Sequence, residues 1–264
     1  TLERKPLDDW RWSPDGAFLL TAGTGRGEDG EKPIQDGSVD AWDLRRGERV
    51  FTFDLGMPKA DARPLVIGFA PDGKTAFSAG WADGIGQRLV AWDLVKGTTR
   101  TTELGVAFPA ELLVAEDGKL LVMVGVAAQV LSVELPSLKK LGETPYSEGH
   151  ADAGIDFDAD EKVLLHRIDG AGVTLRDPRT LKAKKTVDGK RVSPDGKLIA
   201  VYAKRGSSLV LAASGKQHVK LEGVSFQEEA DPILSMAAFS PDGSRIALLT
   251  SADHKLLLHD TALD

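Results

Sequence analysis

The sequence predicts an all-β fold assembled from six copies of one four-stranded unit, and three observations carry that reading. A tight turn recurs six times. Ser13-Pro14-Asp15-Gly16, Ala70-Pro71-Asp72-Gly73, Ser193-Pro194-Asp195-Gly196 and Ser240-Pro241-Asp242-Gly243 are near-identical, while Ala115-Glu116-Asp117-Gly118 and Asp158-Ala159-Asp160-Glu161 are worn copies. The copies start 35–57 residues apart, the spacing of a repeat architecture. Short apolar runs flank each turn and helical periodicity is scarce, as expected of short strands joined by hairpins.

Each part of the unit has a local reason. In the turn, Pro presets φ at the first corner, Asp bonds its own backbone, and Gly takes the left-handed position that closes the hairpin. A second strand follows, as in Ala17–Gly23, Thr75–Gly80, Lys119–Gly125, Lys197–Ala203 and Ser244–Ser251. The third strand ends in Ala41-Trp42-Asp43-Leu44 in the first copy and Ala91-Trp92-Asp93-Leu94 in the second. Degenerate versions stand at Val130–Leu135, Val173–Asp177, Leu209–Ala213 and Leu256–Asp260. A polar turn such as Arg45-Arg46-Gly47 or Val95-Lys96-Gly97 leads to a more polar fourth strand, Glu48–Leu55 or Thr98–Leu104. Four short strands per unit with turns between them make a propeller blade.

The Ser-Pro-Asp-Gly turns followed by Asp36-Gly37-Ser38-Val39-Asp40-Ala41-Trp42-Asp43-Leu44 resemble WD40 repeats across essentially the whole chain. The resemblance is strongest in the first two units; the last four keep spacing and turns without the Trp-Asp pair. The family's Gly-His pair occurs once, at Gly149-His150. The family also implies a bonded set of His, Ser/Thr, Asp and Trp in each blade. The first unit offers Thr21, Asp36 and Trp42 and the second Ser78, Asp83 and Trp92, neither with the His, so apolar packing between blades is expected to carry more of the stability. The expected architecture is an all-β, six-bladed WD40-like β-propeller forming a single domain. Its blade cores run approximately over 8–55, 64–104, 109–143, 151–187, 188–222 and 233–264 plus 1–7. The stretches before the first turn and after the last together equal one more repeat. Thr1–Leu7 is therefore expected to supply the missing fourth strand, closing the last blade and removing open edges.

Composition narrows the function. A hydrophobic fraction of 42% with 28% charged residues is that of a globular chain. A net charge of −7 argues against nucleic acid, because phosphate binding needs a basic surface. With no Cys there is no disulfide, thiolate nucleophile or Cys-based zinc site, which suits a reducing compartment and slightly favours the cytoplasm. No run approaches the roughly 18 apolar residues of a membrane span, and no secretory leader is evident. The absence of Asn beside plentiful Ala, Gly, Asp and Arg is the composition expected of a GC-rich bacterial genome.

In WD40-like propellers, the loops joining the second and third strands, and those joining one blade to the next, crowd one end of the ring. The longest such stretches here are Thr24–Gly37, Trp81–Gln87 with an expected exposed Trp, and the linkers Met57–Pro64 and Val224–Pro232. Loops longer than the fold needs are often functional, although neutral growth in a tolerant scaffold has the same signature. Asp8, Asp9, Asp61, Glu111, Asp152, Asp188 and Asp231 each precede an inner strand, and Glu28, Asp29, Glu228 and Glu229 lie in the extended loops. Such carboxylates favour a basic partner if they share one face. Solvated loop charge is the competing explanation, and Arg26, Arg63 and Lys190 dilute the effect. The candidate partner-binding residues are Arg26, Glu28, Asp29, Trp81, Asp83, Asp8, Asp9, Asp61, Glu228 and Glu229. The expected role is a non-catalytic scaffold for a protein or peptide, within a larger polypeptide and without a cofactor. The alternatives are an enzyme or small-ligand binder at the channel mouth, and self-assembly through Lys182, Lys184, Lys185 and Lys190.

Several apparent motifs lack the context their chemistry needs. Gly25-Arg26-Gly27-Glu28-Asp29-Gly30 matches a dinucleotide fingerprint, but Glu31-Lys32-Pro33 and another strand follow instead of a helix. Asp156-Phe157-Asp158-Ala159-Asp160 imitates an EF-hand start, yet Glu161 stands at the Gly position and Arg167 at that of the bidentate Glu. The five His residues form no zinc-ligand pair and nothing resembles a nucleophile elbow. Trp10 and Trp12 are expected to pack between blades, Trp12 as core, with the channel as the alternative position for one of them.

Overall fold

The computed structural model describes residues 7–23, 25–26, 33–34, 38–54, 63–82, 86–104, 109–125, 128–145, 153–158, 160–168, 172–187, 191–203, 206–211, 216–221, 237–240, 242–249 and 256–261. Among them all regular structure is β and antiparallel hairpins account for every sheet. The chain divides into two compact units, Thr1–Ala151 and Asp152–Asp264.

The first unit opens with β1 (Leu7–Trp12), β2 (Phe18–Gly23), the two-residue β3 (Gly25–Arg26) and β4 (Pro33–Ile34), β5 (Ser38–Asp43) and β6 (Glu48–Asp54). Strands β1-β2-β5-β6 form its first sheet. The second sheet joins β7 (Arg63–Phe69), β8 (Thr75–Ala82), β9 (Gly86–Asp93) and β10 (Thr98–Leu104). The third joins β11 (Pro109–Val114), β12 (Leu120–Gly125), β13 (Val130–Glu134) and β14 (Lys139–Glu143). In the second unit, β15 (Ala153–Phe157), β16 (Leu164–Ile168), β17 (Gly172–Arg176) and β18 (Ala183–Val187) make the fourth sheet. The fifth contains β19 (Arg191–Val192), β20 (Leu198–Ala203), β21 (Gly206–Leu211) and β22 (Gln217–Leu221). The sixth contains β23 (Ala237–Phe239), β24 (Arg245–Leu249) and β25 (Leu256–Asp260). Most of Thr1–Leu7, the strand expected to complete this last sheet, lies outside the described residues.

Alternation along each strand puts one set of apolar residues on each sheet face, and adjacent sheets bury those faces together. Leu20, Ala22, Val39 and Ala41 of the first sheet pack against Ile67, Ala76, Val90 and Trp92 of the second. Phe77, Ala79, Leu89 and Ala91 of the second pack in turn against Leu121, Met123, Leu131 and Val133 of the third. In the second unit, Leu165, Val173 and Leu175 meet Ile199 and Val210, and Leu198 and Ala200 meet Ile246. Burying each of the Val, Leu, Ile, Phe and Met side chains contributes about 1.5–3 kcal/mol relative to exposure, and the alanines contribute less. Trp10 and Trp12 depart from expectation: each is 55% exposed. Paired with Thr21 and Leu19, they lie on the face turned away from the second sheet, and within the first unit no described sheet covers that face.

The recurrent turn has one geometry with variable chemistry. The Ser13 hydroxyl donates to Asp15 Oδ1 at 2.7 Å and accepts from the Phe18 amide at 2.8 Å. Ser193 and Ser240 repeat both bonds. In the worn copy Asp158 replaces the Ser, and its carboxylate accepts directly from the Val163 amide at 2.7 Å. Glu161 then holds the left-handed position at φ 54°, where the other five turns place Gly. The turn after the third strand varies in the same way. Gly47 and Gly97 are left-handed there, and Leu138 and Leu181 occupy the equivalent position at φ 59° and 58°. Both leucine side chains are buried, so apolar burial offsets the strain of an L-residue in that conformation.

A diagonal contact between second and third strands recurs at one register position. The Trp42 indole donates to Thr21 Oγ1, and the Trp92 indole to Ser78 Oγ, each at 3.0 Å. In the third sheet the same register brings Met123 and Val133 to these positions, both fully buried. In the fourth it brings His166 and Arg176, and Arg176 Nε–H donates to His166 Nδ1 at 3.2 Å. The indole–hydroxyl pair therefore has an arginine–imidazole replacement in the second unit.

Candidate functional site

The loop end of the first unit is placed by backbone pairing. Leu7 pairs with Gly23 and Asp9 with Ala22, leaving Asp8 as the extra residue of a bulge at the start of β1. Irregularities between Pro64 and Val66, and between Pro109 and Glu111, repeat this feature at the starts of β7 and β11. A bulge bends a strand and increases its twist, which suits the end of a sheet. Arg63 pairs with Trp81, which also pairs with Gln87. Since β1 and β7 are neighbours, Asp8, Asp9 and Trp81 stand at corresponding ends of adjacent sheets.

Two expected loops contain more strand than their sequences suggest. Ala82 pairs with Gly86, so Trp81 belongs to β8 and the connection shrinks to residues 83–85. Extended Trp and Ala residues continue the ladder through Ala82. Within Thr24–Gly37, Gly25 pairs with Ile34 and Arg26 with Pro33 as a small hairpin, and this Gly-rich segment leads into strand. Among the ten candidate residues the structure places Asp8, Asp9, Arg26 and Trp81. Glu28, Asp29, Asp61, Asp83, Glu228 and Glu229 lie outside the described residues.

The opposite, turn-bearing end carries most of the described electrostatics. Hydrogen bonds from the Ser13 hydroxyl and the Ala17 amide hold the Asp15 carboxyl below its ordinary pKa. The Ser240 hydroxyl, with the Ser244 amide and hydroxyl, lowers Asp242 to about 2. These aspartates are ionised turn braces. His166 is different: burial, followed by the field of Arg176, lowers its pKa to about 4. Because Arg Nε–H only donates, Nδ1 accepts and the neutral ring carries its proton on Nε2. Nε2 is buried without a partner among the described residues. The spacing from each recurrent turn puts Thr21, Ser78 and His166 at one position, a signal available in the sequence but obscured by their unlike chemistry.

Two clefts flank these turns. One of about 350 Å³ lies between the second and third sheets, near Asp72, Arg100, Asp117 and Pro136. Another of about 270 Å³ in the second unit is lined by Asp156, Phe157, Val192, Pro194 and Phe239. The three acids of the EF-hand-like stretch separate by function: Asp156 faces Arg167 Nε at 3.4 Å, Asp158 braces the turn, and Asp160 pairs with Lys162 at 2.9 Å. Among the described residues no group of three or more His, Asp or Glu is arranged to hold a metal.

No family model and no curated protein matches the chain. Among solved structures, the C-terminal WD40 domain of Sif2 is similar, with a TM-score of 0.59 and 15% sequence identity over 96% of this chain. The match spans 66% of that structure's chain. Similarity at this identity speaks to the fold, and it agrees with the repeated four-stranded sheets and the indole–hydroxyl bracing. The chain has an all-β, WD40-like propeller fold.

Proposed function

We propose that this chain is a non-catalytic interaction module that presents the loop end of its sheets to a protein or peptide with basic character. One observation carries the reading. At corresponding ends of adjacent sheets, β8 extends through Trp81 beside the bulged start of β1, which bears Asp8 and Asp9. The β3–β4 hairpin adds further length beyond β2. Sequence placement of Glu28, Asp29, Asp61 and Asp83 in the connecting loops favours a basic partner, and Glu228 and Glu229 extend the candidate set. Groups with displaced pKa values, such as Asp15, His166 and Asp242, lie outside both clefts, which favours interaction over catalysis. The test is affinity capture from a cell extract, comparing wild type with a Trp81→Ala, Asp8→Ala, Asp9→Ala variant. Specific partners should be lost from the variant, and their retention should weaken as salt rises. Unchanged capture by a folded variant overturns the face assignment.

A further inference from the structure

We propose that the outer edges of the fourth and fifth sheets form a basic docking surface for an acidic peptide segment of a partner protein. Charge is distributed unevenly along the chain. Between Lys162 and Lys220 it holds fourteen Lys and Arg against four Asp and no Glu, whereas the whole chain carries a net charge of −7. Two of those four aspartates are engaged inside turns. Asp177 accepts from the Arg179 and Thr180 amides, and Asp195 from the Ser193 hydroxyl and the Lys197 amide. Asp169 and Asp188 lie outside the described residues. The cations of this stretch therefore far outnumber the carboxylates that its own sequence supplies to neutralise them.

Strand order gathers several of these cations on one side. Residues of β15, β19 and β23 line a single cleft, so the first strands of the three sheets come together and the last strands, β18 and β22, lie outward. Lys182, Lys184, Lys185, Lys216 and Lys220 are exposed in or beside those two strands. Register sets two of them along one groove. Lys185 stands opposite Leu175, whose face packs on the fifth sheet, and Lys220 stands opposite Ser208, which shares its face with Val210, packed on the fourth. Among the described residues Lys182 and Lys220 have no carboxylate within ion-pair distance, and Lys184 Nζ donates to the Lys162 main-chain carbonyl at 3.2 Å. Outer strands of the first unit differ: Arg49 lies 3.4 Å from Asp40, and Lys140 lies 2.7 Å from Glu143. Edge lysines also discourage strand pairing, but a charge of either sign fills that role. A short acidic segment suits the patch better than nucleic acid, because the excess negative charge elsewhere on the chain repels a long polyanion. The surface belongs to the second unit and stands independently of the loop-end reading.

Fluorescence anisotropy with a short labelled peptide alternating Glu and Ser tests the proposal, using a Gln-Ser peptide and a single-stranded DNA oligonucleotide as comparison probes. The Gln peptide should bind about tenfold or more weakly than the Glu peptide, whose binding should weaken as salt rises. Lys182→Glu with Lys185→Glu and Lys220→Glu should remove binding while keeping the edges charged against strand pairing. Arginine at the same three positions should retain it. Arg45→Glu with Lys74→Glu and Lys139→Glu, in the first unit, changes the net charge equally and should leave most of the affinity. Equal binding of the Glu and Gln peptides, full binding by the folded second-unit variant, or equal losses in the two triple variants overturns the proposal. Tighter binding of the DNA, lost in the same second-unit variant, also overturns it by assigning the surface to nucleic acid. Absence of Glu-peptide binding rejects this surface alone, because partner capture tests the loop end separately.

Discussion

The second and fourth sheets make the same cross-strand contact with different chemistry. In the second sheet a fully buried indole donates to the Ser78 hydroxyl; neither group titrates near neutrality. In the fourth, a guanidinium donates to a buried imidazole that accepts only while neutral. Register therefore preserves the position of a brace without preserving its residue types. The replacement brings a pH dependence that the indole–hydroxyl version lacks.

Removing the large partner should have the greatest effect. Trp92→Ala is expected to cost about 3–5 kcal/mol, through lost burial and an unfilled cavity, in urea unfolding at neutral pH. A cost near that of a surface substitution would show that the second sheet does not depend on this side chain. Acid should separate the two sheets next. His166 moves from an unfolded value of 6.5 to about 4 in the fold, so the unfolded chain takes up its proton first as pH falls. Its stability contribution is full above about pH 6.5, falls towards pH 4 and then levels off. The loss is about 3 kcal/mol in all. His166→Ser with Arg176→Trp, which installs the second sheet's pair, should abolish that loss. A pH–stability curve unchanged by the double substitution would remove the titration from His166. Asp242 gives a separate, lower window, stabilising above its ordinary 3.8 and losing that effect as pH falls towards 2.

Smaller substitutions refine the contrast. Ser78→Ala should cost about 1–3 kcal/mol by leaving a buried indole N–H unpaired. Thr21→Ala should cost less, because Trp42 is only partly buried and water can replace the hydroxyl. Equal losses in urea unfolding would show that burial does not set the difference. Glu161→Gly should be the mildest change, stabilising by about 0.5–1 kcal/mol as relief of the left-handed strain outweighs added chain entropy. A lower melting temperature for this variant would mean that the Glu161 side chain contributes more than its backbone costs.

The sequence made the sheets legible because turn chemistry and strand alternation are local. Ser13, Asp15 and Gly16 satisfy one another within a few residues, and the Asp158 version works by the same short-range bonds. The candidate loop end was legible as a place rather than as a surface: strand pairing positions Asp8, Asp9, Arg26 and Trp81, whereas the other six candidates lie outside the described residues. Trp81 falls just beyond the expected second strand, Thr75–Gly80, yet backbone pairing with Arg63 and Gln87 extends the strand through it. Trp10 and Trp12 looked like core from alternation alone. Alternation identifies a face but not whether another sheet covers it.

By itself, the sequence determined the repeat, its turns and the strand order within each unit, since these follow from φ preferences, hydrogen bonding and alternation over short distances. Tertiary structure alone decided which side chains meet. It brought His166 to Arg176, set the Phe51 ring against Gly97, buried Leu138 at a left-handed position, and left the cleft beneath Arg100. Those outcomes depend on side-chain size and charge across strands and between sheets, which turn chemistry and strand alternation do not encode.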